Sequence, residues 1–154
     1  MGTNDRQRCL VCIPRPGLVA WPCKATAVPG SAANGAQALV VLLVEDEFFA
    51  RYDIASCLRE AGYVVVESAT GEEAIALCRS RTPIDMVFTD INLGGPASGW
   101  DVAECFRTER PDIPLLYMSG DRVNPDRCLP GSRFVAKPLR HSDILSACHR
   151  LRSK

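Results

Sequence analysis

Val87-Phe88-Thr89-Asp90-Ile91-Asn92 is the stretch that decides how this chain folds. An apolar run ends there in a single acid, and Asp90 falls where a buried strand would meet a loop. Three other stretches end the same way. Residues 39–44 run into Glu45-Asp46, residues 115–118 into Ser119-Gly120, and residues 134–136 into Lys137-Pro138. As parallel strands, the four runs would place their polar ends along one edge of one sheet.

The segments between these runs carry helical spacing. Residues 47–61 read as a helix on Phe48, Tyr52, Ala55 and Leu58, three and four apart, with Gly62 ending it at C′. Residues 63–67 form a second strand. Thr70-x-x-Glu73 is a capping box opening a helix to about Arg79, with Ala74, Ile75, Leu77 and Cys78 apolar. Residues 84–89 are the third strand and 92–99 a loop rich in Gly and Pro. A helix over 100–110 rests on Val102, Ala103 and Phe106 and stops at Pro111. Residues 113–118 are the fourth strand. Pro125 and Pro130 leave residues 121–131 room for only a shortened fourth helix. Residues 133–136 form a short fifth strand, and Ser142 caps a last helix carrying Ile144, Leu145, Cys148 and Leu151. Five β/α pairs at a spacing of roughly 20–30 residues give a parallel sheet with helices on both faces. Such sheets bind ligands at the C-terminal ends of their strands.

The chain has 154 residues, 47% hydrophobic and 23% charged, the make-up of one ordinary globular domain. Residues 1–37 show neither period; Pro14, Pro16, Pro22 and Pro29 read as a disordered N-terminal arm or a start-site extension. The domain proper is then 38–154. The net charge of zero gives no case for nucleic-acid binding. No run of 18 apolar residues is present to span a membrane, and the prolines break residues 9–28 as a signal sequence. A cytoplasmic location is expected. Of eight cysteines, Cys57, Cys78, Cys105 and Cys148 fall at helical positions as small buried hydrophobes. Cys9-x-x-Cys12, with Cys23 beyond, has metal or redox spacing but lacks the second half of a zinc set.

The polar edge has its own chemistry. Two carboxylates ~4 Å apart repel by ~4 kcal/mol at an effective dielectric near 20. A hard divalent cation offsets this, and Mg2+ takes one or two carboxylates plus a substrate phosphate while keeping several waters. Lys137 supplies a fixed positive charge and Ser119 a hydroxyl. An acid, a Mg2+ site, a hydroxyl and a lysine converging on one point describe phosphoryl transfer to the Asp90 carboxylate. Taken singly each has a plainer role: Glu45 and Asp46 as helix N-terminal acids, Ser119 as a turn residue, Lys137 as a surface lysine.

Val44-Glu45-Asp46-Glu47, Asp90 44 residues after Asp46, Ser119-Gly120 and Lys137-Pro138 together resemble the receiver domain of two-component response regulators. The match runs from about Leu39 to Leu151. The resemblance implies a flavodoxin-like, doubly wound α/β fold with five strands in the order 2-1-3-4-5. It also implies roles. Asp90 would be the phosphoacceptor. Asp46 and Asp90 would bind Mg2+ by carboxylate, Asn92 by its backbone carbonyl, and Glu45 through water. Ser119 and Lys137 would hold the phosphoryl group, Phe134 would be the aromatic switch, and Pro138 would follow a cis peptide bond. The implied phosphodonor is a sensor histidine kinase or a histidine phosphotransfer protein, and the implied output is contact with a downstream protein target.

Three departures stand out. Ser119 replaces the commoner threonine. The loop over 92–99 lacks the Met-Pro of many receivers and is similar to receivers working with a histidine-kinase subgroup common in alphaproteobacteria. Ser119 to Lys137 spans 18 residues, about four fewer than the family's usual spacing, at the expense of the fourth helix and its signalling face. With 17 residues after Lys137, a stand-alone receiver with no output domain is expected, a signalling domain rather than an enzyme. Three alternatives stay open. One is a degenerate receiver that binds proteins without phosphorylation. An aspartate-nucleophile phosphatase would want a second acid where Asn92 stands. A flavin module would want a Ser/Thr/Gly-rich loop where Glu45-Asp46-Glu47 stands.

Overall fold

The computed structural model describes residues 38–120 and 127–152. The expected arm over 1–37, with Cys9, Cys12 and Cys23, lies outside the described residues. In chain order the elements are β1 (Val40–Val44), α1 (Phe48–Glu60), β2 (Val64–Ser68), α2 (Gly71–Arg79), β3 (Met86–Asp90), α3 (Gly99–Glu109), β4 (Leu115–Ser119), β5 (Arg133–Ala136) and α4 (His141–Arg152). The five strands are parallel in the order β2-β1-β3-β4-β5, as the resemblance implied.

Strand alternation splits the core into two layers. Leu42, Val44, Val87, Leu115 and Tyr117 face α2 and α3, where Ala74, Cys78, Val102, Ala103 and Phe106 are buried. Val41, Leu43, Met86, Phe88, Leu116 and Met118 face α1 and α4, meeting Ile54, Leu58, Ile144 and Cys148. β3 is buried along its whole length, as a central strand covered on both faces must be.

Helix ends follow their local chemistry. At the end of α1, Gly62 sits at φ 89° with its N–H on the Arg59 carbonyl, and the Tyr63 N–H reaches Leu58. This pair of bonds is the Schellman arrangement that a C′ glycine permits. Thr70 caps α2 as expected, its hydroxyl accepting from Glu73 N–H at 3.2 Å. The Glu73 carboxylate, however, accepts from Ala69 N–H at 3.1 Å, one residue before the cap. The reciprocal capping box lies instead at α3, between Ser98 and Asp101.

Two further expectations need correction. Phe48 and Tyr52 do not face the core: they are 61% and 64% exposed, and the buried face of α1 is Ile54, Ala55, Cys57 and Leu58. The inward position of the first turn is held by Arg51, whose side chain is only 14% exposed. Arg51, Ile54, Ala55 and Leu58 give the true three- and four-residue spacing, and an arginine hid its first member. Ser142 is not a cap, because α4 already begins at His141 and the Asp143 and Ile144 N–H groups bond the Arg140 carbonyl. No α-helix occurs among the described residues between β4 and β5. Most of the expected fourth helix, 121–126, lies outside them, and residues 127–131 form turns. There the Arg127 guanidinium stands 5.1 Å over the Trp100 ring, which packs on Tyr117 at 4.7 Å. Cys128 and Leu129 close the same side of the core.

Candidate functional site

Strand register brings the polar ends together. Val44 pairs with Thr89, so Glu45 follows β1 level with Asp90, the last residue of β3. Asp90 pairs with Met118, which puts Ser119 one step further along β4, and Ser119 pairs with Ala136, which hands the chain to Lys137. The Lys137 N–H bonds the Ser119 carbonyl at 2.8 Å, fixing where the lysine leaves the sheet. The Lys137–Pro138 peptide bond is cis, as the resemblance implied.

The side chains then meet. Lys137 Nζ donates to Glu45 Oε2 at 2.8 Å and to Asp90 Oδ2 at 2.5 Å. Asp90 Oδ1 accepts from the Asn92 N–H at 3.0 Å. Carboxylate oxygens of Glu45, Asp46 and Asp90 all lie within 4.8 Å of one another. Glu45 and Asp90 are buried, and Asp46 is exposed. The Gly94 N–H reaches Asp46 Oδ2 at 3.2 Å, so the 92–98 loop closes over the acids by its backbone.

Burial pushes the Glu45 carboxyl above its ordinary range, and the Lys137 ammonium opposes this without cancelling it. Burial works to lower Lys137, but its hydrogen bonds to Asp90 and Glu45 outweigh that and hold the ammonium above its ordinary range. The lysine is therefore firmly charged, between two acids that have lost most of their water.

Oxygen donors alone, with one exposed acid open to water, fit a hard cation such as Mg2+ and give a softer metal no His or Cys. Glu45, Asp46 and Asp90 are the carboxylates that could hold one. Ser119 is 2% exposed at the same edge, while Phe134 on β5 is 39% exposed.

The sequence reading missed Arg51. Its Nη1 donates to the carbonyl of Glu45 at 2.7 Å and to that of Asp46 at 3.3 Å, and its Nε pairs with Glu67 at 3.5 Å. It pins the backbone that carries both acids. The signal was present as an arginine in register with Ile54 and Leu58. Gly99 was also missed: a Cβ there would fall on the Asp90 carbonyl oxygen. Beside the site, Phe48, Phe49 and Tyr52 form an exposed cluster on the first turns of α1. Phe48 packs edge-on to Phe49 at 5.4 Å and stacks with Tyr52 at 6.4 Å. A groove along α1, lined by Glu47, Ala50, Asp53, Ile54, Lys137, Pro138 and Leu139, leads toward the same edge.

Residues 41–149 match the family model of the response regulator receiver domain, and the chain belongs to that family. Among curated relatives, the transcriptional regulatory protein PdtaR of Mycobacterium tuberculosis is 33% identical over 77% of this chain and 59% of its own length. The chain thus spans somewhat more than half of that relative. The two-component response regulator ORR6 of Oryza sativa is 34% identical over 73% of this chain and 70% of its own. Among solved structures, a response regulator receiver protein of Sinorhizobium medicae superposes with a TM-score of 0.74 at 32% identity, covering 76% of this chain and 96% of that one. The chemotaxis protein CheY4 of Vibrio cholerae, at 23% identity and a TM-score of 0.66 over 75% of this chain and 99% of its own, shares the fold. Among the described residues no helix is long and apolar enough to cross a membrane. Receivers are signalling domains of two-component systems.

Proposed function

We propose that this receiver takes a phosphoryl group on Asp90 from the phosphohistidine of a sensor histidine kinase or histidine phosphotransfer protein, with Mg2+, in the cytoplasm. The observation that carries the proposal is Lys137 Nζ between Glu45 and Asp90, beside a third carboxylate on Asp46. A permanent cation beside an aspartate and a hard-cation donor set suits a reaction that brings a phosphoryl dianion to a carboxylate.

A carboxylate oxygen of Asp90 attacks phosphorus, the P–N bond to the donor imidazole breaks, and the imidazole leaves with the bonding pair. The product is an aspartyl phosphate. Bound Mg2+, held by Asp46, Asp90, the Asn92 carbonyl and Glu45 through water, would neutralise charge on the transferring group. Lys137 exchanges its bond to Asp90 for one to a phosphoryl oxygen and stays charged throughout. The Asn92 N–H holds the other oxygen of the attacking carboxylate in place. Arg51 keeps the backbone of Glu45 and Asp46 from moving as charge arrives.

The new phosphoryl oxygens are ligands for the Ser119 hydroxyl and Lys137. An active arrangement binding them better by about 2.7 kcal/mol would be favoured a hundredfold. Phe134, part in solvent on β5, would be the ring that follows Ser119 inward, and Pro138 would set the bend behind Lys137. The part of the chain that takes the phosphoryl group is the receiver domain over 38–154. Its output is contact with a downstream protein rather than nucleic acid or membrane. The donor approaches over Phe48, Phe49 and Tyr52 and the groove beside α1, because that surface borders the acceptor. A phosphorylated histidine donor incubated with this chain tests the proposal: label passes to wild type and not to Asp90→Asn.

A further inference from the structure

Three carboxylates meet at the acceptor edge, and they are not held alike. Glu45 and Asp90 are buried and share the Lys137 ammonium, at 2.8 and 2.5 Å. Asp46 is exposed, and its Oδ2 accepts from the Gly94 N–H at 3.2 Å. The aim of Asp46 therefore depends on where the loop after β3 puts Gly94.

That loop is tied down by carboxylates. The Asn92 N–H goes to Asp90 Oδ1 at 3.0 Å and the Gly94 N–H to Asp46. The Ala97 N–H goes to Glu72 Oε1 at 3.1 Å and the Ser98 N–H to Asp101 Oδ2 at 2.7 Å. Leu93 is buried in the core at one end of the loop, and Ser98 caps α3 at the other. Between them Gly94, Gly95 and Pro96 are exposed and Ala97 is half-buried, so little packing fixes the stretch. Two adjacent glycines are also costly to order. Glu72, on the first turn of α2, meets the stretch twice. It accepts from Ala97, and its carboxylate oxygens stand 3.2 and 3.3 Å from where a Cβ on Gly95 would lie. The α2 backbone comes as near: a Cβ on Gly71 would lie 2.5 Å from the Ala97 carbonyl oxygen.

We propose that Glu72 is a positioning residue for the cation site. By holding Ala97 and bordering Gly95 it fixes the loop, keeps the Gly94 N–H on Asp46, and so holds the exposed carboxylate ready for Mg2+. The inference rests on the reading of Glu45, Asp46 and Asp90 as a Mg2+ site. A carboxylate already held has less rotamer freedom to lose when the ion arrives. Groups behind the metal ligands matter in this way, and losing one lowers metal affinity about 10–100-fold.

A negative charge near a cation site also helps by attraction alone, and two variants separate the roles. Glu72→Gln removes the charge and keeps a carbonyl oxygen to accept from Ala97. Glu72→Ala removes both. Glu72 is exposed, so neither change leaves a hole in the core.

The test is calorimetric titration of Mg2+ into the full, unphosphorylated chain at physiological ionic strength, where exposed charges are largely screened. Circular dichroism checks that each variant is folded. Glu72→Ala is expected to bind Mg2+ about tenfold more weakly than wild type, the low end of that range. Glu72→Gln is expected to stay close to wild type. Amide exchange of metal-free wild type, followed by NMR, needs no variant: the Gly94 and Ala97 N–H groups should exchange more slowly than in an open chain. Three results would overturn the proposal: Glu72→Ala binding as wild type does, Glu72→Gln weakening as much as Glu72→Ala, or an Ala97 amide exchanging at the open-chain rate. Wild type that takes up no Mg2+ would remove the cation site itself, and the positioning role with it.

Discussion

Lys137 and Glu45 lie 92 residues apart in sequence and 2.8 Å apart across the C-terminal edge of the sheet. Glu45 is 1% exposed at its side chain and Lys137 25%, so water does little for this pair and each depends on the other. Lys137→Met leaves a buried acid without its cation. Breaking a buried pair from one side costs about 3 kcal/mol or more. Urea unfolding of that variant at neutral pH should show a loss of this size, together with lost phosphoryl transfer. A loss below about 0.5 kcal/mol, the range of ordinary surface changes, would mean that the pair is not formed in solution.

The same acid sets a pH dependence. Burial raises the Glu45 carboxyl above its ordinary 4.5, so the folded chain keeps that proton to higher pH than the unfolded chain does. Stability contributed by Glu45 is therefore full below the unfolded value and falls as pH rises through the folded one. The stability difference between wild type and Glu45→Gln, measured without Mg2+, should shrink or reverse as pH rises above 4.5. A difference independent of pH would show that Glu45 is not desolvated. Since Mg2+ favours ionised carboxylates, its stabilising effect should be smaller at acid than at neutral pH.

Phe49 is 76% and Tyr52 64% exposed, so neither supports the core. Phe49→Ser and Tyr52→Ser should leave stability within about 0.5 kcal/mol. They should also leave labelling by acetyl phosphate unchanged, yet slow transfer from a histidine phosphodonor. Equal rates from the protein donor would remove this surface from the docking interface.

Gly99→Ala asks α3 to move off the Asp90 carbonyl, because the added Cβ would occupy the same space. Backbone cannot yield as a flexible side chain does, and overpacking of this kind costs about 1–3 kcal/mol. Thermal denaturation should show that loss, and an unchanged midpoint would mean that the helix start is looser than described.

Much of this was legible in the sequence because buried parallel strands announce themselves as apolar runs, and because each run here ends in a chemically distinct residue. Glu45, Asp90, Ser119 and Lys137 could be placed on one edge before any coordinates. The phase of α1 could not. Its first turn overhangs the sheet, where the inward side faces the carbonyls of two acids rather than apolar side chains. Arg51 takes that side and the aromatics turn outward, the opposite of what apolar spacing implies. The α3 cap was missed because Asp101 does the work usually given to Glu or Gln. Ser142 misled because the Arg140 carbonyl already accepts the first bonds of α4.

The account stands most directly on phosphorylation of Asp90. Intact-mass spectrometry after incubation with Mg2+ and acetyl phosphate measures it on wild type and Asp90→Asn. The account predicts a gain of one phosphoryl mass on wild type, absent from the variant and absent without Mg2+. Folded wild type that takes no phosphoryl group, from acetyl phosphate or from a histidine phosphodonor, would contradict it and leave a receiver that works by binding alone.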